Sequence, residues 1–93
     1  MNIRVEFIAH LREITGTSSV DLDLPAAAVI DHLKGVEELY VKKNLRLLAH
    51  NALIKGLLVF KKQPNAGLTR IRDLQESLEA GDTLVIGTGM EGG

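Results

Sequence analysis

The chain of 93 residues has no cysteine, no tryptophan, two prolines and three aromatic residues, one Tyr and two Phe. Without cysteine there is no disulfide staple, no thiolate metal site and no cysteine nucleophile. That composition suits a reducing compartment. Three aromatics are too few for the stacking platform of a single-strand nucleic-acid binder. The charge is also nearly balanced, at 11 Lys/Arg against 12 Asp/Glu, so the basic excess of a nucleic-acid binder is missing too. No apolar run approaches the ~18 residues of a membrane span, and no charged n-region precedes an apolar stretch, so a cytoplasmic protein is expected. Repeats of 20–50 residues, low-complexity tracts and an internal Pro/Gly linker are likewise absent.

What remains is one small globular domain. A hydrophobic fraction of 45% beside 25% charged residues argues against disorder along the whole chain. At this length only about 60–65% of the unfolded surface is buried, which predicts modest stability. In N-I-R-V-E-F-I-A, Ile3, Val5 and Phe7 alternate with Arg4 and Glu6, the period-two pattern of a half-buried strand. H-L-R-E-I-T-G-T-S-S reads as a turn built on Gly16 and the Thr/Ser cluster. Val20, Leu22 and Leu24 then alternate with Asp21 and Asp23 as a second strand, completing an N-terminal hairpin.

Pro25 stops that strand and suits the first turn of a helix, where its missing N–H costs nothing. The run A-A-A-V-I-D-H-L-K continues as helix, with Val29, Ile30 and Leu33 at helical spacing. Gly35 is expected to interrupt it, with a second helical stretch carrying Val36, Leu39, Tyr40 and Leu47. A third strand follows around I-K-G-L-L-V-F-K-K, apolar on both faces from Leu57 to Phe60 and so expected to be central. Pro64, Asn65 and Gly67 predict a turn, L-T-R-I a short strand, A-G-D at 80–82 a tight turn, and T-L-V-I the last strand. The order predicts an α+β domain, a mixed sheet of four to five strands with a helix packed on one face.

Within this domain no catalytic constellation stands out. His10, His32 and His50 are scattered without metal-ligand spacing and read as ordinary surface or partly buried residues, so no metal site is expected. Ser18, Ser19 and Ser77 lack a nucleophile-elbow context. Glu37 and Glu38 are neighbours on a helix, point apart, and read as a solvated face. G-T-G-M-E-G-G only loosely resembles a dinucleotide loop and follows a strand with no helix after it.

That segment is the remaining feature: of the seven residues Gly87–Gly93, four are glycine. Extended, it would reach roughly 24 Å at ~3.4 Å per residue. Glycine has no Cβ, so such a backbone threads a narrow cleft and leaves its terminal carbonyl open to attack. A carboxylate is a poor electrophile, so chemistry there requires a partner that activates it.

The opening V-E-F-I-A-H-L-R-E-I-T-G resembles the first strand and following turn of the small subunit of molybdopterin synthase, the MoaD/ThiS-type sulfur-carrier family. The ending L-E-A-G-D-T-L-V-I-x4-G-G resembles that family's last turn, last strand and double-glycine tail. The resemblance implies a ubiquitin-like β-grasp domain over 1–88 and a flexible tail over 89–93. It also implies a carrier that is not itself an enzyme. An E1-like adenylating enzyme (of MoeB, ThiF or UbaA type) would use ATP to activate the carboxylate of Gly93, with Gly92 giving access. Sulfur transfer would then yield a thiocarboxylate that supplies molybdopterin. The chain itself would bind no cofactor. Its partner surface would be the exposed sheet face plus the tail, with Gly89, Met90 and Glu91 entering the partner's channel. A molybdopterin synthase large subunit of MoaE type is a further implied partner.

The family usually places an aromatic residue and prolines before the glycines, where this chain has Gly87, Thr88 and Gly89. Without that stiffening, the tail loses more entropy on docking. The same ending is shared by thiamine-type and tRNA sulfur carriers and by ubiquitin-like modifiers (SAMP-like) joined to target lysines. A β-grasp interaction module with an inert tail is the third reading.

Overall fold

The computed structural model describes residues 1–25 and 28–88. Among the described residues, seven strands, two α-helices and a 3₁₀ turn follow one another. The order opens with β1 (Asn2–Phe7), α1 (His10–Thr15), β2 (Ser19–Asp23) and α2 (Val29–Leu39). A short ladder of β3 (Leu48–Ala49) and β4 (Ala52–Leu53) comes next, then β5 (Leu57–Gln63), β6 (Gly67–Arg70) and β7 (Thr83–Thr88). The main sheet has five strands in the order β2-β1-β7-β5-β6. All its pairs are antiparallel except one, in which β1 runs parallel to the central strand β7. The sheet is therefore mixed, as the element order implied.

Register decides which residues face the core. Val5 pairs with Val20 and Leu84, and Phe7 with Ile86. Val59 pairs with Ile86 from the other side. Ile3, Val5, Phe7, Val59, Leu84 and Ile86 are buried together on one face. Against them α2 packs Val29, Ile30, Leu33 and Val36, at i, i+1, i+4 and i+7 on the core-facing side of the helix.

Several local expectations are corrected. The segment after β1 is not a plain turn, because His10–Thr15 forms α1 and Gly16 closes it. At φ 79 Gly16 is left-handed and donates its N–H to the Arg12 carbonyl, a glycine helix stop. Gly35 does not interrupt α2, which runs through it to Leu39. A Cβ there would sit 3.3 Å from a Leu24 methyl, so the glycine instead marks where the helix approaches β2 closely. Leu39, expected on the apolar stripe, is exposed. Leu47 is fully buried, but from the loop after the 3₁₀ turn Val41–Lys43 rather than from a helix. β5 is central only in having two neighbours, since β6 covers it at the edge.

The start of α2 has no side-chain cap. Its first free amides are satisfied from a distance: Val29 N–H donates to the Glu76 carbonyl and Ile30 N–H to that of Leu74, both at 2.9 Å. The polar stretch 72–79 thus serves as a strap across the helix N-terminus. Ala26 and Ala27, in the run expected to be helical, lie outside the described residues.

Candidate functional site: the outer sheet face and the end of β7

The alternation that buries one face of the sheet dictates the other. Asn2, Arg4 and Glu6 of β1 point outward, as do Asp21 of β2, Leu58, Phe60 and Lys62 of β5, and Thr83, Val85 and Gly87 of β7. Leu58, Phe60 and Val85 are all at least half-buried yet lie outside the core cluster, to which both helices contribute. They form a separate apolar layer. Ile8, just beyond β1, extends it with an exposure of 39%, while Leu68 of β6, 57% exposed, stands opposite Lys62.

This outer face is divided along its length. Toward the start of β7 it is charged and internally paired: Lys62 Nζ lies 3.1 Å from Glu6 Oε1, and Arg4 Nε 3.5 Å from Asp21 Oδ1. Toward the end of β7 it is apolar. Gly87 stands opposite Leu58, and the Ile8 side chain covers it so closely that a Cβ at Gly87 would overlap the Ile8 Cγ1 and Cδ1 atoms. The Ile8 N–H donates to the Ile86 carbonyl, holding that cover in place. Exposed apolar surface rimmed by charge is the usual mark of an interaction site.

Gly89, Met90, Glu91, Gly92 and Gly93 lie outside the described residues. What is described is their root: Thr88 closes β7 in register with Leu57, and the apolar half of the outer face leads to it. The signal for that face was present in the sequence as the two-sided apolar run Leu57–Phe60. It was explained as a central strand, whereas Leu58 and Phe60 in fact face away from both helices.

The three histidines do not come together. His10 opens α1 beside Glu13 at 3.5 Å, and His50 sits in the turn between β3 and β4. His32, expected as an ordinary surface or partly buried residue, is fully buried. Its Nδ1–H donates to the Ala28 carbonyl at 3.0 Å, and its Nε2 has no partner among the described residues. Glu37 is not part of a free solvated face: its Oε2 accepts from the Leu47 and Leu48 amides at 2.7 and 2.8 Å. The carboxylate pins the loop that follows α2.

Two groups titrate away from their ordinary values. The hydrogen bond from Lys61 to Glu76, 2.6 Å long, raises the Lys61 ammonium above 10.5. Burial raises the Tyr40 phenol above 10.0, where its ring meets Phe7 edge-on at a centroid distance of 5.7 Å. Both groups support the scaffold and neither borders the apolar half of the outer face.

Comparison with solved structures identifies the architecture. Small archaeal modifier protein 1 (SAMP1) of Haloferax volcanii superposes with a TM-score of 0.78 over 100% of both chains at 22% identity. The fold is the ubiquitin-like β-grasp. A Pyrococcus furiosus protein described as a putative molybdopterin converting factor, subunit 1, matches at a TM-score of 0.71 and 17% identity, covering 95% of this chain and 97% of its own. A chain of the BexX/CysO complex of Amycolatopsis orientalis matches at 0.68 and 25% identity, covering 98% of this chain and 99% of its own. No protein-family model matches the chain, and no curated protein matches it in sequence. Among the described residues no helix is long and apolar enough to cross a membrane.

Proposed function

We propose that the chain is a ubiquitin-like sulfur carrier whose reacting group is the carboxylate of Gly93. In this reading an E1-like enzyme binds the apolar half of the outer face and draws residues 89–93 into its site. The carboxylate attacks the α-phosphate of ATP, giving an acyl-adenylate and releasing pyrophosphate. Bisulfide bound at the partner's site then attacks the activated carbonyl, AMP leaves and a proton is lost, so a thiocarboxylate replaces the carboxylate. Glycine at 92 and 93 keeps both faces of that carbonyl accessible. The thiocarboxylate donates its sulfur to molybdopterin in a synthase whose large subunit is of MoaE type, in the cytoplasm. This chain contributes the carried group and no catalytic residue.

The observation that carries the reading is the outer face itself. Ile8, Leu58 and Phe60 form an apolar strip over the buried Val85, and it ends at Gly87 and Thr88, the root of the double-glycine segment. ATP–pyrophosphate exchange by a cognate E1-like enzyme tests it. Exchange with the full chain, its loss on removal of Gly93 and its retention in Glu91→Gln are expected. Exchange that persists without Gly93 would remove the basis of the proposal.

A second reading, a modifier joined to target lysines, is favoured by the end-to-end match to a protein named as a small archaeal modifier. Here a lysine amine takes the place of the sulfur nucleophile, forming an isopeptide bond as AMP leaves. Conjugates of higher mass that vanish on deletion of Gly93 would select it over the sulfur-carrier reading.

A further inference from the structure

A second concave surface lies at the root of the tail, on the helix side of the sheet rather than on its outer face. α1, the loop at 44–46 and the turn leading into β5 enclose a groove of ≈ 460 Å³ that Thr88 also borders. Its floor is apolar, with half-buried Ile14, Ile54 and Leu57. Its rim carries exposed Arg46 and Lys55, with His10 and its neighbour Glu13 at one end, and no Asp or Glu is among the lining residues themselves. Arg46 and Lys55 form no salt bridge among the described residues, unlike Arg4 and Lys62 on the outer face. The walls are set by fixed turns, with Asn44 at φ 57 and Gly56 at φ 96.

We propose that this groove docks an acidic, apolar-anchored peptide segment of a partner protein. The apolar floor selects against a bare anion, which would leave Ile14, Ile54 and Leu57 uncovered. Arg46 and Lys55, without salt bridges among the described residues, select against a purely apolar segment, which would bring no charge to meet them. A short segment with Leu or Ile at its centre and Asp or Glu at its flanks satisfies both. Because Thr88 borders the groove, a bound partner segment lies beside the root of the tail. The proposal goes beyond the sulfur-carrier reading and does not require that Gly93 be activated.

The test is a titration of the ¹⁵N-labelled full chain, without any activating enzyme, followed by amide shifts. The probe is a synthetic peptide with a Leu-Ile-Leu centre flanked by Asp and Glu, and its control replaces each acid with Lys. Shifts confined to α1, 44–46 and 54–57 are expected for the acidic peptide alone, weakening with salt as exposed charge pairs do. The double variant Arg46→Glu/Lys55→Glu should weaken binding about ten-fold, since two exposed pairs become repulsions. Phe60→Asp on the outer face should leave it unchanged. Equal binding of the Lys control, shifts centred on Phe60 and Val85, or no shifts at millimolar peptide would each overturn the proposal. So would groove shifts that arise only when Met90 and Glu91 are replaced, which would make the chain's own tail the occupant.

Discussion

At Gly87 the outer sheet face has no side chain of its own, and Ile8 fills the space a Cβ would take. Gly87→Ala must push Ile8 outward, a small overpacking that should cost about 1–2 kcal/mol by urea denaturation. The same change should weaken partner binding, because it reshapes the apolar strip beside the tail. His32 presents the opposite case, a polar group enclosed without full satisfaction. Its Nε2 is unpartnered among the described residues, and the carbonyl its ring engages, that of Ala28, also accepts the Asp31 amide at 3.1 Å. His32→Leu should therefore be neutral or stabilising by up to about 1 kcal/mol. His32→Asp should lose roughly 3 kcal/mol or more, because it encloses a charge. A destabilised Leu variant in the same urea series would show that Nε2 does have a partner.

At the scale of the element, the loop after α2 hangs on one carboxylate. Glu37→Ala would leave the Leu47 and Leu48 amides without their acceptor while Leu47 stays buried. A loss of about 2–3 kcal/mol is expected, with Glu37→Gln recovering part of it. The strap across α2 is fixed differently, by backbone carbonyls and by the Lys61–Glu76 pair. Lys61 and Tyr40 are both raised on folding, so the folded state holds their protons more tightly than the unfolded chain. Stability from this source is fully present below pH 10 and is lost as pH rises through the raised values. The urea midpoint should therefore be level from neutrality to about pH 10 and fall above it, and Tyr40→Phe should flatten part of that fall. A fall that sets in near neutrality would contradict the assignment.

The element scale also separates what the sequence disclosed from what it hid. β1 and β2 were legible because strict alternation has only one structural reading, and the Val29/Ile30/Leu33 spacing disclosed α2. α1 was hidden because six residues are too few to display a helical period, so Gly16 was read as a turn rather than a helix stop. The β3–β4 turn was hidden because His50 and Asn51 take φ values of 54 and 64, as a two-residue hairpin of primed type requires, without the Asn-Gly pair that usually announces it. Glu37 looked solvated because the amides that donate to it lie ten and eleven residues away, in a loop whose course no local pattern predicts.

At the scale of the whole molecule, the two faces of the sheet divide the labour. The inner face, with the helices, makes the stable body, and the outer face runs from paired charges to an apolar strip at the root of the tail. The double glycine was legible in the residues, and the family resemblance pointed to the exposed sheet face and the tail without naming the residues of that face. The strip needed the register, which alone turns Leu58, Phe60 and Val85 to one side. Phe60→Asp should leave the urea midpoint nearly unchanged, since Phe60 is outside the core, while cutting turnover by the activating enzyme about ten-fold or more. Equal losses of stability and turnover would mean that Phe60 belongs to the scaffold instead. The most direct test of the central claim is the intact mass of the chain after incubation with its E1-like enzyme, ATP and a sulfur donor. The account predicts the mass change of one oxygen replaced by sulfur, located on Gly93 and absent when Gly93 is deleted. Recovery of the free acid alone from the full chain under those conditions would contradict it.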